Sequence, residues 1–209
     1  MSIIALAKEV KQTLITEQKP LFLDTNIYKY YSTYLTMDES QFIQKYQEDP
    51  STAMSMKNCE KLFRFIIKNK IIIKKNKMLE QEIKDKILNS GYNKEKFYYE
   101  DFSKDIIFDS DVTQYTLEEE NLAKQLAPRN DKKYMEHDFI IVICCNKDNT
   151  EVIVTSDRGD FRECMKVHAD NKDKLPAQKS NLHLIPLDQF ALIIDIIEKE
   201  VNEPSKTNS

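Results

Sequence analysis

The chain is predicted to be an α/β protein, a parallel, doubly wound central sheet of about five strands flanked by helices. Three observations predict it. Five short apolar runs, at 21–23, 71–73, 106–108, 152–154 and 182–185, are separated by stretches in which apolar residues recur at helical spacing. Strands covered on both faces read as such runs, and alternation of strand with helix argues parallel pairing. Glycine is scarce: Gly91 and Gly159 are the only two in 209 residues, where roughly 7% is ordinary. That disfavours a sandwich of tight hairpins and excludes a P-loop, a GxGxxG turn and a kinase phosphate loop, each of which needs clustered glycines.

The elements follow in order. Residues 1–19 are an N-terminal helical extension, with Ile3, Ala7, Val10 and Leu14 on one helix face and Pro20 as its stop. The domain spans 20–201. LFL at 21–23 is the first strand and ends at Asp24. Residues 28–55, with Tyr28, Tyr30, Tyr31 and Tyr34 ahead of a polar stretch, read as an insertion made of a helix, a loop and a second helix over 39–48. Met56, Cys59, Leu62, Phe63, Ile66 and Ile67 mark a helix over 52–69. Ile71–Ile73 is a buried strand. Leu79, Ile83 and Ile87 share a face of a helix over 76–89 that Gly91 stops. Residues 92–103 read as loop and 106–108 as the third strand. Thr116 opens a helix with Glu118, Glu119 and Glu120 in its first turn, where the helix dipole favours acids. Pro128 interrupts, and a helix from about 131 to 147 follows. The strand at 152–154, a short helix at 161–168, a charged loop at 170–180, the strand at 182–185 and a helix over 188–201 complete the domain. Residues 202–209 read as a disordered tail.

Charge and cysteine usage bound the setting. With 31 basic and 35 acidic residues the formal net charge is −4, so the chain is not a globally basic nucleic-acid binder. Cys59, Cys144, Cys145 and Cys164 form no CxxC pair, which disfavours a zinc ribbon. Reduced thiols, a first segment unlike a signal peptide and no apolar run longer than 139–145 predict a cytoplasmic protein with no membrane association.

In doubly wound sheets the ligand site lies off the carboxyl ends of the strands. Four segments deliver carboxylates toward that edge: Asp24 in FLDTN, Glu80 and Glu82 in LEQEI, Asp138 in EHDFIIV, and Asp157 in VTSDRGDF. Carboxylates brought together repel, and must protonate or bind cations. Hard oxygen donors suit Mg2+ or Mn2+, and two such ions can activate a water and stabilise the leaving oxygen of a phosphodiester.

The segments LFLDTNIY, LEQEI, EHDFIIV and VTSDRGDF, in this order, resemble the PIN-domain nucleases over roughly residues 20–190. The resemblance implies a PIN-like fold, with Asp24, Glu82, Asp138 and Asp157 as catalytic metal ligands for one or two Mg2+ or Mn2+ ions and Asp160 as an additional acid. Asn26, Thr155 and Gly159 would support the site, Gly159 through a tight turn after the fourth strand. Glu80 is the alternate to Glu82. The activity implied is metal-dependent hydrolysis of RNA. The family's toxin members imply a partner antitoxin, but the added N-terminal helix, the segment 28–55 and the segment 90–110 depart from the small toxins. A homodimer and a non-catalytic RNA- or protein-binding module are further alternatives. A phosphatase of the haloacid dehalogenase type needs a second aspartate two residues after the first, where this chain has Asn26.

Each residue also has a plainer reading. Asp24 makes a good helix N-cap and Asp157 a turn residue. His137 is a structural hydrogen-bonding group or a base, and His168 and His183 are structural. The tyrosines at 28–34 pack a helix face or stack bases. Arg158, Arg162, Lys74 and Lys75 are candidate nucleic-acid contacts, against a solvated surface.

Overall fold

A computed structural model describes residues 1–127, 129–130, 133–171, 173–175, 179 and 181–202. Pro128, residues 131–132, part of the loop at 170–180 (172, 176–178 and 180) and the tail beyond 202 lie outside the described residues. The helices are α1 (Ile3–Lys11), α2 (Thr25–Leu35), α3 (Glu39–Tyr46), α4 (Pro50–Asn69), α5 (Lys77–Ile83), α6 (Asn93–Phe102), α7 (Leu117–Leu126), α8 (Glu136–Lys147), α9 (Arg158–Asp170) and α10 (Leu187–Asn202). The strands are β1 (Leu21–Leu23), β2 (Ile72–Ile73), β3 (Ile107–Phe108), β4 (Arg129–Asn130), β5 (Lys133–Tyr134), β6 (Val152–Thr155) and β7 (His183–Pro186).

Five strands form one all-parallel sheet in the order β3-β2-β1-β6-β7. Leu21 pairs with Ile73 on one side and with Val152 on the other, so β1 is central. The α/β architecture and five-strand sheet agree with the expectation from sequence. A small antiparallel ribbon of β4 and β5 stands apart from the sheet.

The core explains the unbroken apolar runs. Every residue of β1 and β6 is buried, as strands covered by helices on both faces must be. Helix α8 is buried from Phe139 to Asn146, all round rather than along one stripe. Cys144 and Cys145 are free thiols inside it. Helix α4 carries Leu62, Phe63, Phe65 and Ile66 into the core. Tyr31 stacks on Phe63 with ring centroids 4.5 Å apart, and Tyr28 lies 5.8 Å from the same ring. Those two tyrosines belong to the interior, which takes them out of any base-stacking role. Tyr34 is half-buried and donates to Glu60 at 2.9 Å.

Three segments differ from the expectation. Residues 93–102 are helix α6, not loop; Tyr99 and Phe102, three apart, are its only buried side chains, too few to show a period in sequence. Helix α8 begins at Glu136, because Lys133 and Tyr134 are drawn into the β4–β5 ribbon. Helix α9 begins at Arg158, three residues earlier than expected, because the Asp157 side chain caps it through the Asp160 N–H. Gly159 therefore sits in the first turn of a helix, and the tight turn expected there does not exist. The glycine with left-handed backbone is Gly91, at φ +81°.

Candidate functional site

Order reverses at β1: the chain runs to β2 and β3 on one side and to β6 and β7 on the other. Such a switch point leaves a crevice at the carboxyl ends of the two neighbouring strands. Asp24 directly follows β1 and Asp157 lies two residues beyond β6. Each caps the helix that comes next, Asp24 accepting from Asn26 N–H at 3.3 Å. The N-cap reading of these acids and their place at the crevice are thus both realised.

A cleft of about 220 Å³ opens there, lined by Asp24, Asn26, Glu82, Lys86, Glu136, His137, Asp138 and Asp157. All four candidate metal acids reach it. Asp160 and Thr155 are not among the residues that line it. Glu82 is buried in the wall, whereas Glu80 is exposed, so Glu82 is the glutamate that the fold turns into the cleft.

Two hydrogen-bond groups build the walls. On one side Asp24, 4% exposed, accepts from Thr155 Oγ1 at 3.0 Å and Ser156 Oγ at 3.3 Å. Thr155 Oγ1 also accepts from the Asp157 N–H at 2.9 Å. Burial is the main influence on Asp24 and pushes its carboxyl above the usual range, against the hydrogen bonds from Thr155 and Asn26. On the other side Glu82 Oε2 accepts from Thr25 Oγ1 at 2.5 Å, while Oε1 accepts from Lys86 Nζ at 2.7 Å and lies 3.3 Å from His137 Nδ1. Burial opposes the Glu82 charge, but the bonds from His137, Lys86 and Thr25 outweigh it and hold the carboxyl at about 2. The hydrogen bond to Glu82 in turn raises His137 above its ordinary value.

Asp24 suits a hard cation in kind. It is a buried carboxyl whose hydrogen-bond donors are all neutral, and among the described residues no ion pair joins it. Asp157, beside Asp24 on the same wall, and Asp138 add further oxygen donors to the cleft. As arranged, however, no three acidic, histidine or cysteine side chains among the described residues gather closely enough to hold an ion.

The candidate nucleic-acid contacts divide. Lys74 is 1% exposed; its ammonium pairs with Asp109 at 3.1 Å and donates to the Asp111 carbonyl at 2.7 Å, so it is a structural lysine and not a phosphate contact. Lys75 lies over the Phe108 ring at 3.9 Å. Arg162 is exposed on α9, and the Arg158 side chain lies outside the described residues. Of the other histidines, His183 pairs with Glu9 and His168 is fully buried. Lys86 and Glu136 were not among the residues singled out from sequence. Lys86 carried a signal, since it lies four residues after Glu82, the spacing at which a helix brings an acid and a base together.

Among the described residues no helix is long and apolar enough to cross a membrane. No protein-family model matches the chain, and neither a curated protein nor a solved structure does.

Proposed function

We propose that the chain is a PIN-like, metal-dependent ribonuclease that hydrolyses phosphodiester bonds in the cleft at the β1–β6 switch point. The observation that carries the reading is the link Asp24–Thr155–Asp157, which ties acids from two adjacent strand ends into one wall of a cleft that Glu82 and Asp138 complete. Asp24, Asp138 and Asp157 would hold Mg2+ or Mn2+, with Glu82 at their flank. When bound, the ion supplies an activated water and positive charge for the leaving oxygen.

The chain's own groups do the rest. The first turns of α2 and α8 and the N-cap of α9 line the cleft, and helix N-termini favour a phosphate there. Lys86 offsets the charge of Glu82, so a polyanion meets less repulsion than four bare carboxylates would give. No cysteine serves as nucleophile: all four thiols are buried.

The test is cleavage of single-stranded RNA by the wild type and by Asp24→Asn, with Mn2+ and with EDTA. Cleavage should require Mn2+ and disappear in the variant. Activity that survives Asp24→Asn overturns the mechanism. A second reading, a non-catalytic RNA- or protein-binding module, draws on the lack of three gathered ligands among the described residues. Thermal unfolding separates the two: millimolar Mn2+ should raise Tm for the nuclease and leave the binding module unchanged.

A further inference from the structure

Glu82 is placed like a metal ligand but is bonded like a partner for something else. Both its oxygens are engaged. Oε2 takes the Thr25 hydroxyl at 2.5 Å, and Oε1 takes the Lys86 ammonium at 2.7 Å with His137 Nδ1 at 3.3 Å. Glu82 is buried, so a divalent ion approaching it would have to displace a charge-assisted hydrogen bond at a largely desolvated carboxylate. Lys86 differs in exposure: its side chain is 43% exposed, and it lines the cleft. Its other hydrogens are therefore open to a bound anion.

The backbone contributes to this placement. Regular α5 ends at Ile83, and the chain continues as a π-helical turn over Lys84–Leu88, which carries Lys86. A π turn widens the helix and redirects its side chains, and such turns recur at functional sites. The opposite wall is unlike this one. Asp24 is buried, bonded only by neutral donors, and joined by no ion pair among the described residues. Glu82 thus already holds a cation, whereas the donors to Asp24 are a backbone N–H and two hydroxyls.

We propose that Lys86 is the built-in cation of the cleft, taking the place of a second divalent ion and contacting a substrate phosphate oxygen, while Glu82 holds the lysine. The inference rests on the nuclease reading and narrows it: one Mg2+ or Mn2+ binds, through Asp24, Asp138 and Asp157. A lysine ammonium is a compact point charge suited to a phosphate oxygen. Its presence beside Glu82 repels a second divalent ion by the same charge.

The experiment counts bound Mn2+ on the full chain by calorimetric titration and electron paramagnetic resonance, for wild type, Lys86→Arg and Lys86→Met, with circular dichroism to check each fold. One ion is expected in wild type and Lys86→Arg, and two in Lys86→Met, where Glu82 loses its ammonium. If Lys86→Met does not fold, Lys86→Gln takes its place, again with two ions expected. Two ions in the wild type, or one in a folded Lys86→Met, overturn the role of Lys86 and leave the nuclease reading standing. No ion in any of the three overturns both.

Discussion

Thr155 Oγ1 donates a 3.0 Å hydrogen bond to Asp24 Oδ2 across 131 residues of chain. The same hydroxyl oxygen accepts the Asp157 N–H. One fully buried side chain thus fixes two acids from neighbouring strands. Thr155→Val keeps the shape but leaves the Asp157 N–H without its acceptor and Asp24 one donor short, which costs about 1–3 kcal/mol. Thr155→Ser keeps the hydroxyl and loses only a methyl group, about 1 kcal/mol. Urea unfolding of the two variants checks this; equal losses would show that packing, not the hydroxyl, is what matters.

Asp24 is held above its usual value by burial, so its charge destabilises the metal-free protein at neutral pH. Asp24→Asn removes the charge and keeps a good N-cap. The metal-free variant should be more stable than wild type at pH 7 by about 0.5–2 kcal/mol, as found when a functional site is relieved of strain. The penalty fades as pH falls. A carboxyl with a raised folded value gains stability for the wild type as pH falls through that value, so the gap between the two should narrow on acidification. Thermal unfolding in EDTA from pH 7 to pH 4 measures it.

The two glycines should respond in opposite directions. A methyl group added at Gly159 meets only Asp157 Oδ1, at 3.9 Å, and the backbone there is helical. Gly159→Ala should stabilise by about 0.5–1 kcal/mol. Gly91 stands at φ +81°, and Gly91→Ala should cost about 1–2 kcal/mol although nothing lies within 4 Å of the added carbon. Urea midpoints of the two variants on opposite sides of wild type are the expected result.

His168 is fully buried, and neither ring nitrogen has a hydrogen-bond partner among the described residues. Burial lowers its pKa below the ordinary 6.5. The unfolded chain then takes up a proton near pH 6.5 that the folded chain does not, so stability falls as pH drops below that point, by at most about 1.4 kcal/mol per pH unit. His168→Leu should remove that share of the slope between pH 7.5 and 5.5. Parallel curves for the variant and wild type would mean that the imidazole is protonated in place.

Much of the fold was legible because its signals are local. The apolar runs at 21–23 and 152–154, the Thr116 cap with Glu119, and the spacing along 52–69 each appear in the structure as β1, β6, the capping box of α7 and the buried face of α4. The misses were local conflicts settled by distant packing. Lys74 looks like one lysine of a basic cluster until Asp109 and Asp111 close over it. Residues 93–102 look like loop until Tyr99 and Phe102 find Tyr28, Tyr31 and Phe63.

The sequence by itself determined the class of fold, the order of its strands along the chain, and which acids stand at strand ends, since these follow from residue type and from periods of two and 3.6. Only the tertiary structure decided which acid meets neutral donors and which meets a cation. Asp24 meets Thr155, while Glu82 meets Thr25, Lys86 and His137. Thr25 lies 57 residues from Glu82 and His137 lies 55. The charge state of a buried carboxyl depends on what surrounds it in space, and residues so far apart are brought within hydrogen-bond distance by the sheet order and helix packing, not by any pattern along the chain.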